Sequence, residues 1–551
     1  MYRESEKTKQ PDIWKDPRLE MGRRTKEIFD NIEGWHHRFR HEVTNRIEED
    51  LFKPLYSDGK GAPNAPIRIL LAMMALKEGQ GISDELLYEQ CRFNALIRNA
   101  LGLVNSDDEV PTESTYYLFR QKVAEHAERG GENLLEAAFE GITKSQCQEY
   151  QVSGKRIRMD SKLLGSNIAW YSRYGIVHET IRKYCAANGI SELGGRGSGR
   201  LLAVLGEKGE AVTFRSTKEE VQWLFEELGI VMHRLVEAEG AERNLEYELL
   251  QRVFDEQYEV SSGVGGGKKK KVRPREKTEI RGDSVQNPHD MDSEYRDKGG
   301  NKVKGYSVNV AETCDEGKLN LIVNVRTEGC GTSDVEHFQD GLVKAQQVVA
   351  GTIEQAYTDG AYHSPGNQEY CKEKGIEWIL RGIQGKPSKY ELSFDEEGKL
   401  VVVNTESGQR LETRKAKSRN PQAPERWAVQ DGENKAIYFE HKDVQTCALR
   451  KRLGQIPKER LDIRNNVEAT IFQVGYHYRG DKSRYRGLVA HTLWAISRCL
   501  WVNFRRIQLW KIRKEKGGAC ITRESISAYL LRRFMRKYRF IFCPLVFASR
   551  Y

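Results

Sequence analysis

Two strand-like segments that each carry an aspartate lie 199 residues apart, and this spacing constrains the fold more than any other feature. Asp160 lies within KRIRMDSKLL, where apolar and charged residues alternate as in a half-buried strand. Asp359 directly follows a short apolar run at 353–358. Because a compact α/β unit does not need a connection of that length, we predict an inserted module of about one hundred residues between the two strands.

The segments around these strands predict a mixed sheet with helices. Residues from about 166 to 258 have helical periodicity, and strand patterns return as a hairpin at 305–310 and 319–325. The predicted elements that follow are a helix near 335–350, the strand at 353–358, a helix near 367–375 and a strand at 377–380. Without the inserted helices this is the strand order of an RNase H-like domain. The predicted fold class is therefore α/β with an RNase H-like mixed-sheet catalytic core.

Composition divides the rest of the chain. The predicted units are a helical N-terminal domain (1–150), a catalytic domain (151–510) with a helical insertion (166–260), a basic Gly/Lys linker (261–275) and a β-rich insertion (385–450), and basic C-terminal helices (511–551). Helices joined by short polar turns, as in the first unit, are typical of DNA-binding domains. The same pattern fits an oligomerisation domain equally well.

A third acidic residue, Glu468, lies in RNNVEATIF, which has helical periodicity. Two aspartates at strand ends and one glutamate on a helix can hold two divalent cations, and such a pair cleaves phosphodiester bonds. Mg²⁺ prefers hard oxygen ligands, which carboxylates supply. An aspartate after a strand is commonly only a turn or cap residue, and other acids compete for the same role: Asp283, Asp290, Asp292, Asp315 and Asp334. The residues alone therefore support a catalytic triad and a set of structural acids about equally.

The distribution of charge indicates a polyanionic partner. The net charge is only +9, but basic and aromatic residues alternate from 498 to 551. A second basic and aromatic patch occupies 478–487. Because lysine and arginine neutralise phosphates, we predict that DNA is bound by Arg479, Lys482, Arg484, Arg486, Arg505 and Arg506. A solvated basic helix face is the alternative interpretation.

The ten cysteines are scattered, and no two form a C-x-x-C pair. This spacing predicts reduced thiols and gives no support to a zinc site or a disulfide framework. No apolar run approaches the roughly 20 residues that a membrane-spanning helix needs, and MYRESEKTKQPDIWKD has no apolar leader segment. We therefore expect a soluble cytoplasmic protein that is not bound to membranes.

Six segments, taken in order, resemble the DDE transposases of bacterial insertion sequences that have a helical N-terminal domain. They are PIRILLAMMALKEGQGISDELLYEQCRFNALIRNALGL, PTESTYYLFRQKV, RMDSKLLGSNI, DMDSEYRDKGGNKVKGYSVNVAETCD, AYTDGAYHS and VEATIFQVGYHYRGDKSRYRGL. The resemblance implies that Asp160, Asp359 and Glu468 are the metal-binding catalytic triad, with two Mg²⁺ or Mn²⁺ ions as cofactors. It also implies binding of terminal inverted repeats and target DNA, association with the nucleoid, and assembly as a homodimer or larger oligomer.

The chain departs from that family at two places. Related transposases often carry a lysine or arginine about seven residues after the glutamate, where this chain has Gly475, and only Cys447 remains of a cysteine cluster found in some relatives. The resemblance favours a cut-and-paste transposase that cleaves the element's ends and transfers them to target DNA. A catalytically inactive DNA-binding regulator derived from such an enzyme is the first alternative. A host RNase H-like nuclease is the second.

Overall fold

The structure, a computed structural model, describes residues 1–7, 10–57, 59, 61–190, 198–238, 243–261, 271–382, 388–416, 424–431, 436–476 and 480–515. Its α-helices are α1 (Arg23–Phe29), α2 (Trp35–Glu42), α3 (Ile67–Gln80), α4 (Asp84–Phe93), α5 (Ala95–Leu101), α6 (Glu113–Glu128), α7 (Leu134–Glu149), α8 (Arg173–Ala187), α9 (Ser198–Gly206), α10 (Gly209–Arg215), α11 (Lys218–Val236), α12 (Leu245–Gln257), α13 (Asp334–Val348), α14 (Pro365–Lys374), α15 (His441–Gly454), α16 (Lys458–Val474) and α17 (Leu488–Glu515). Its strands are β1 (Arg156–Gly165), β2 (Tyr258–Ser261), β3 (Lys271–Pro274), β4 (Glu294–Lys298), β5 (Asn301–Thr313), β6 (Ile322–Gly329), β7 (Gln355–Thr358), β8 (Glu377–Leu380), β9 (Tyr390–Phe394), β10 (Leu400–Asn404), β11 (Arg410–Leu411), β12 (Thr413–Lys415), β13 (Arg426–Val429) and β14 (Ile437–Glu440).

The central sheet has β1 in its middle. β1 is antiparallel to β5 on one side and parallel to β7 on the other, and β8 follows β7 in parallel. β6 pairs with the second part of β5, which confirms the predicted hairpin. This strand order is the RNase H-like order that the sequence predicts, so the fold class is confirmed.

β4 is a strand that the pattern did not indicate. It pairs with the first residues of β5, from Glu294 opposite Gly305 to Lys298 opposite Asn301. Its sequence, EYRDK, is charged and its side chains are at most half-buried. An edge strand of this kind lacks the apolar alternation on which strand prediction depends.

The sheet is covered on both faces. One face packs on α13, where Ile157 and Met159 of β1 join Phe338 and Leu342 in one core. The other face packs on α16 and α17, and Leu164 of β1 belongs to that second core. The second core continues into the N-terminal helices, and every residue of α3 from Ile67 to Gly79 is buried. The N-terminal helices and the sheet therefore share one hydrophobic core through α17.

The two insertions each have a core of their own. The first, between β1 and β4, contains α8 to α12 and the β2–β3 hairpin. Part of the predicted basic linker is β3, while 262–270 lie outside the described residues. The second insertion holds two three-stranded sheets, β9 to β11 and β12 to β14, with Val402 and Trp427 in their shared core. Of the predicted C-terminal helices, 511–515 are the end of α17 and 516–551 lie outside the described residues.

Candidate active site

Adjacent strands bring the two aspartates together. Asp160 lies in the middle of β1 and not, as the sequence predicts, at a strand end, whereas Asp359 directly follows β7. The parallel register of β1 and β7 pairs Arg158 with Tyr357. Asp160 and Asp359 each follow two residues later, so they lie beside each other where β7 ends. The Asp359 carboxylate also accepts a 3.0 Å hydrogen bond from the Ala361 amide, which opens a short 3₁₀ turn after the strand. The sequence placed these two residues on separate strands, and the structure makes the strands neighbours.

Glu468 reaches the same place from α16. Val467, Thr470 and Val474 are buried on the face of α16 that packs on the sheet, whereas the Glu468 side chain is 60% exposed. The Arg158 side chain of β1 donates a 3.0 Å hydrogen bond to the Ile463 carbonyl and ties the helix to the strand. Glu468 therefore lies at the rim of the packed face.

The Arg464 side chain lies between all three acids. Its guanidinium donates to the Asp160 carboxylate at 3.0 Å and to the Glu468 carboxylate at 2.8 Å, and it approaches Asp359 to 3.9 Å. The side chain is 11% exposed. Sequence reasoning missed this residue, although its position one helical turn before Glu468 places both side chains on one face.

The electrostatics of the site suit a divalent cation. Burial raises the pKa of the Asp160 carboxyl to about 6; Arg464 opposes this shift and the neighbouring Asp359 adds to it. Three carboxylates face one arginine, so the set is negative when ionised. Carboxylate oxygens are the hard ligands that Mg²⁺ and Mn²⁺ prefer. Asp160, Asp359 and Glu468 therefore fit a divalent metal site.

The carboxylate oxygens of Asp160, Asp359 and Glu468 do not form a compact ligand cluster. In the described part of the chain, the one group of three potential ligands with all ligand atoms within 4.8 Å of one another is His41, Glu42 and Glu149. That group lies on α2 and α7 and contains none of the three acids, and Arg46 and Lys511 form ion pairs with Glu42. The Asp160, Asp359 and Glu468 carboxylates are further apart and are connected by Arg464.

Replacing Arg464 with methionine is expected to destabilise the metal-free protein by about 1–3 kcal/mol, since hydrogen bonds between charged groups are lost. The three carboxylates would then repel one another until a cation binds. We therefore expect excess Mg²⁺ to raise the melting temperature of this variant more than that of the unsubstituted protein, as measured by thermal unfolding with and without the metal. The matched control is Arg460→Met, one turn earlier on α16, which removes an ion pair with Glu377 of β8. An equal Mg²⁺ effect on both variants would contradict the assignment.

The basic segment after α16 is attached to the end of β1. The Gly165 amide donates to the Asp481 carbonyl, and the Ser483 amide donates to the Gly165 carbonyl, each at 2.7 Å. Lys482 and Arg486 are exposed; Arg484 is exposed as well, but it forms an ion pair with Glu78 of α3. Arg479 lies outside the described residues. DNA binding by these four residues stays a prediction.

The two basic residues of α17 have partners inside the protein. Arg506 forms a 2.6 Å ion pair with Glu312, which is completely buried. Arg505 donates to the Gln508 side chain at 2.7 Å, and burial lowers the pKa of its guanidinium. Their predicted role in binding DNA is therefore not supported by their orientation, and a structural role accounts for Arg506. One side of α17 packs on the sheet. The alternation of basic and aromatic residues in the sequence therefore cannot distinguish an arginine that faces DNA from one that faces the protein interior.

Several of the competing acids have structural partners. Asp290 accepts hydrogen bonds from Ser166 and Tyr306, and Asp315 accepts from Ser153 and from the Gly154 amide. Asp334 is the first residue of α13, whose N-cap is Ser333. The contacts of Asp290 and Asp315 hold strands and loops in place. Asp334 lies close enough to the site that its charge helps to raise the pKa of the Asp160 carboxyl.

Comparisons with known proteins give two family matches. A family described as transposase domain (DUF772) matches residues 28–122, and a family described as transposase DDE domain matches residues 277–504. The second match contains Asp359 and Glu468, whereas Asp160 lies in neither match. No curated protein matches the chain.

Among the described residues, no helix combines the length and the apolar character needed to cross a membrane. The RNase H-like sheet and the two family matches lead to one conclusion. The chain belongs to the DDE transposases of the insertion-sequence type.

Proposed function

We propose that this transposase cuts DNA at the ends of its element and joins them to target DNA, in a cut-and-paste reaction at one active site. The observation that carries this proposal is the convergence of Asp160, Asp359 and Glu468 from β1, β7 and α16 around Arg464. The family supports transposase activity and the use of divalent metal. The use of two ions, the terminal inverted repeats, a homodimer and association with the nucleoid are parts of the proposal.

The proposed roles of the side chains follow from their exposure. Two divalent ions would activate the attacking oxygen and stabilise the leaving oxygen. The Asp160 side chain is 15% exposed and the Asp359 side chain is 31% exposed. Their positions are fixed by the sheet, because Asp160 lies on β1 and Asp359 directly follows the adjacent strand β7. Glu468 on α16 is the exposed ligand, open to the side from which DNA must approach. Arg464 neutralises part of the negative charge and orients Asp160 and Glu468.

The surface next to Glu468 supports DNA as the substrate. Phe472 follows Glu468 by four residues, so both lie on one face of α16, and Tyr476 follows two residues after the helix ends. Phe472 is 66% exposed and Tyr476 is 63% exposed, with their rings 5.8 Å apart. Exposed aromatic rings stack on nucleic-acid bases, and the exposed Lys482 and Arg486 beside β1 suit the phosphate backbone.

The experiment is a cleavage assay with the full chain and a plasmid that carries the gene with its native flanking DNA. We expect breaks with free 3′-OH ends at the borders of the element in Mg²⁺ or Mn²⁺, and none in EDTA. Cleavage that persists in EDTA would contradict a metal-dependent site. Binding to the borders without cleavage would favour the inactive regulator, and cleavage of RNA–DNA hybrids without regard to the borders would favour the host nuclease.

A further inference from the structure

Lys162 shares the face of β1 on which the active site is built. It follows Asp160 by two residues, so both side chains project from the same side of the strand. The two preceding residues on this face contact α16, which covers it: Arg158 donates to the Ile463 carbonyl, and Asp160 accepts from Arg464. Lys162 continues that row toward the end of α16, and its side chain is only 13% exposed.

The end of α16 leaves space for this lysine. A Cβ atom added to Gly475 would lie 2.6 Å from Cε and 3.2 Å from Nζ of Lys162. The φ angle of Gly475 is −87°, which any residue can adopt, so the absence of a side chain matters here for space and not for backbone freedom. Gly475 comes seven residues after Glu468, about two helical turns along the same face. The strand lysine therefore fills the volume that a side chain at 475 would take.

The ion-pair partner of Lys162 lies at the surface. Its ammonium donates to the carboxylate of Asp481, whose side chain is 58% exposed. This ion pair is weaker than a fully buried one, because water competes for the exposed Asp481 carboxylate. A phosphate of the DNA backbone also carries one negative charge and accepts hydrogen bonds from an ammonium group, so the ammonium can exchange one partner for the other.

We propose that Lys162 is a positioning residue that holds a backbone phosphate of the DNA beside the one that is cut. Gly475 stands where related transposases often carry a basic residue, and the sequence predicts DNA contacts from the 478–487 patch that follows it. The structure assigns that place to a lysine from β1, two residues from a catalytic aspartate. This inference rests on the proposed function, since it requires that DNA be bound over Asp160, Asp359 and Glu468.

The test compares Lys162→Met with Lys155→Met in the full chain, on the plasmid with native flanking DNA. Lys155 stands just before β1, and its ammonium pairs with the exposed Glu354. For Lys162→Met we expect the rate of cleavage to fall about tenfold or more. We also expect the plot of log affinity for flanking DNA against log salt concentration to become less steep by about one, which corresponds to the loss of one phosphate contact. Lys155→Met should change neither. Cleavage and salt dependence equal to wild type in Lys162→Met would overturn the inference.

Two further variants separate DNA contact from a structural role. Asp481→Asn removes the same ion pair and keeps the lysine, so we expect it to retain cleavage; equal losses in Asp481→Asn and Lys162→Met would show a structural link instead. The double variant Lys162→Ala with Gly475→Lys moves the ammonium from strand to helix and should recover part of the cleavage lost in Lys162→Ala. No recovery in a folded double variant would count against the proposal. If the wild-type chain does not cut DNA in Mg²⁺ or Mn²⁺, the proposed function fails first.

Discussion

Replacing Asp160 with asparagine is expected to lower the rate of metal-dependent DNA cleavage by roughly a thousandfold or more. Asparagine keeps the shape of the side chain but removes the charge on the least exposed of the three carboxylates. A metal supplies several kcal/mol of transition-state stabilisation, and about 1.4 kcal/mol is a factor of ten in rate. The measurement is the initial rate of cleavage at the element's borders in Mg²⁺, with affinity for the same DNA measured separately.

The control for this substitution is Asp340→Asn. Asp340 is exposed on α13, so its change leaves the site intact and should leave cleavage unaltered. We expect Asp160→Asn to bind flanking DNA as well as wild type does, because phosphate contacts supply most of the affinity. Cleavage by Asp160→Asn at the wild-type rate would remove this residue from the triad.

Replacing Glu312 with glutamine is expected to reduce the free energy of unfolding by about 3–5 kcal/mol, the usual result of breaking a buried ion pair on one side. Glu312 is completely buried and accepts from Arg158 and Arg506 at 2.6 Å, and from the Thr470 hydroxyl at 2.8 Å. These partners belong to β1, α17 and α16. Without the carboxylate, two poorly solvated guanidinium groups face each other, and the attachment of α16 to the sheet weakens.

Urea-induced unfolding of the full chain, followed by circular dichroism, measures this effect. The matched control is Glu354→Gln, because Glu354 also pairs with a basic residue across the sheet, Lys155, but both side chains are 56% exposed. That variant should unfold at the same urea concentration as wild type. Equal and small changes in the free energy of unfolding for Glu312→Gln and Glu354→Gln would show that the buried ion pairs of Glu312 do not hold α16 on the sheet.

The sequence predicts the parts of the site that depend on local pattern. The strand and helix patterns make Asp160, Asp359 and Glu468 candidates, but they do not separate these acids from the competing ones; the resemblance to DDE transposases does. Arg464 was within reach of the same reasoning, since it needs only the spacing of four residues on a helix. The edge strand β4 was missed because its charged sequence carries no apolar alternation.

Other features depend on contacts between residues far apart in the chain. The partners of Glu312 come from 154 residues before it and from 158 and 194 residues after it, so no local pattern reveals that Arg506 points inward. The same holds for Lys162 and Gly475, which come together only when α16 lies along β1. Basic residues are easy to find in a sequence, but whether each one faces DNA or a buried carboxylate is decided by tertiary packing.

The position of β1 in the middle of the sheet has a consequence for synthesis on the ribosome. Its two neighbours are encoded far downstream, β5 after the helical insertion and β7 later still. The insertion has its own core and can fold before β1 is paired. Synthesis of the residues between β1 and β5 takes roughly ten seconds or more at normal elongation rates. The shared core closes only when α17 emerges. A chain that stops before α16 lacks Glu468, and one that stops before α17 lacks the helix that closes the shared core, so neither forms the complete site.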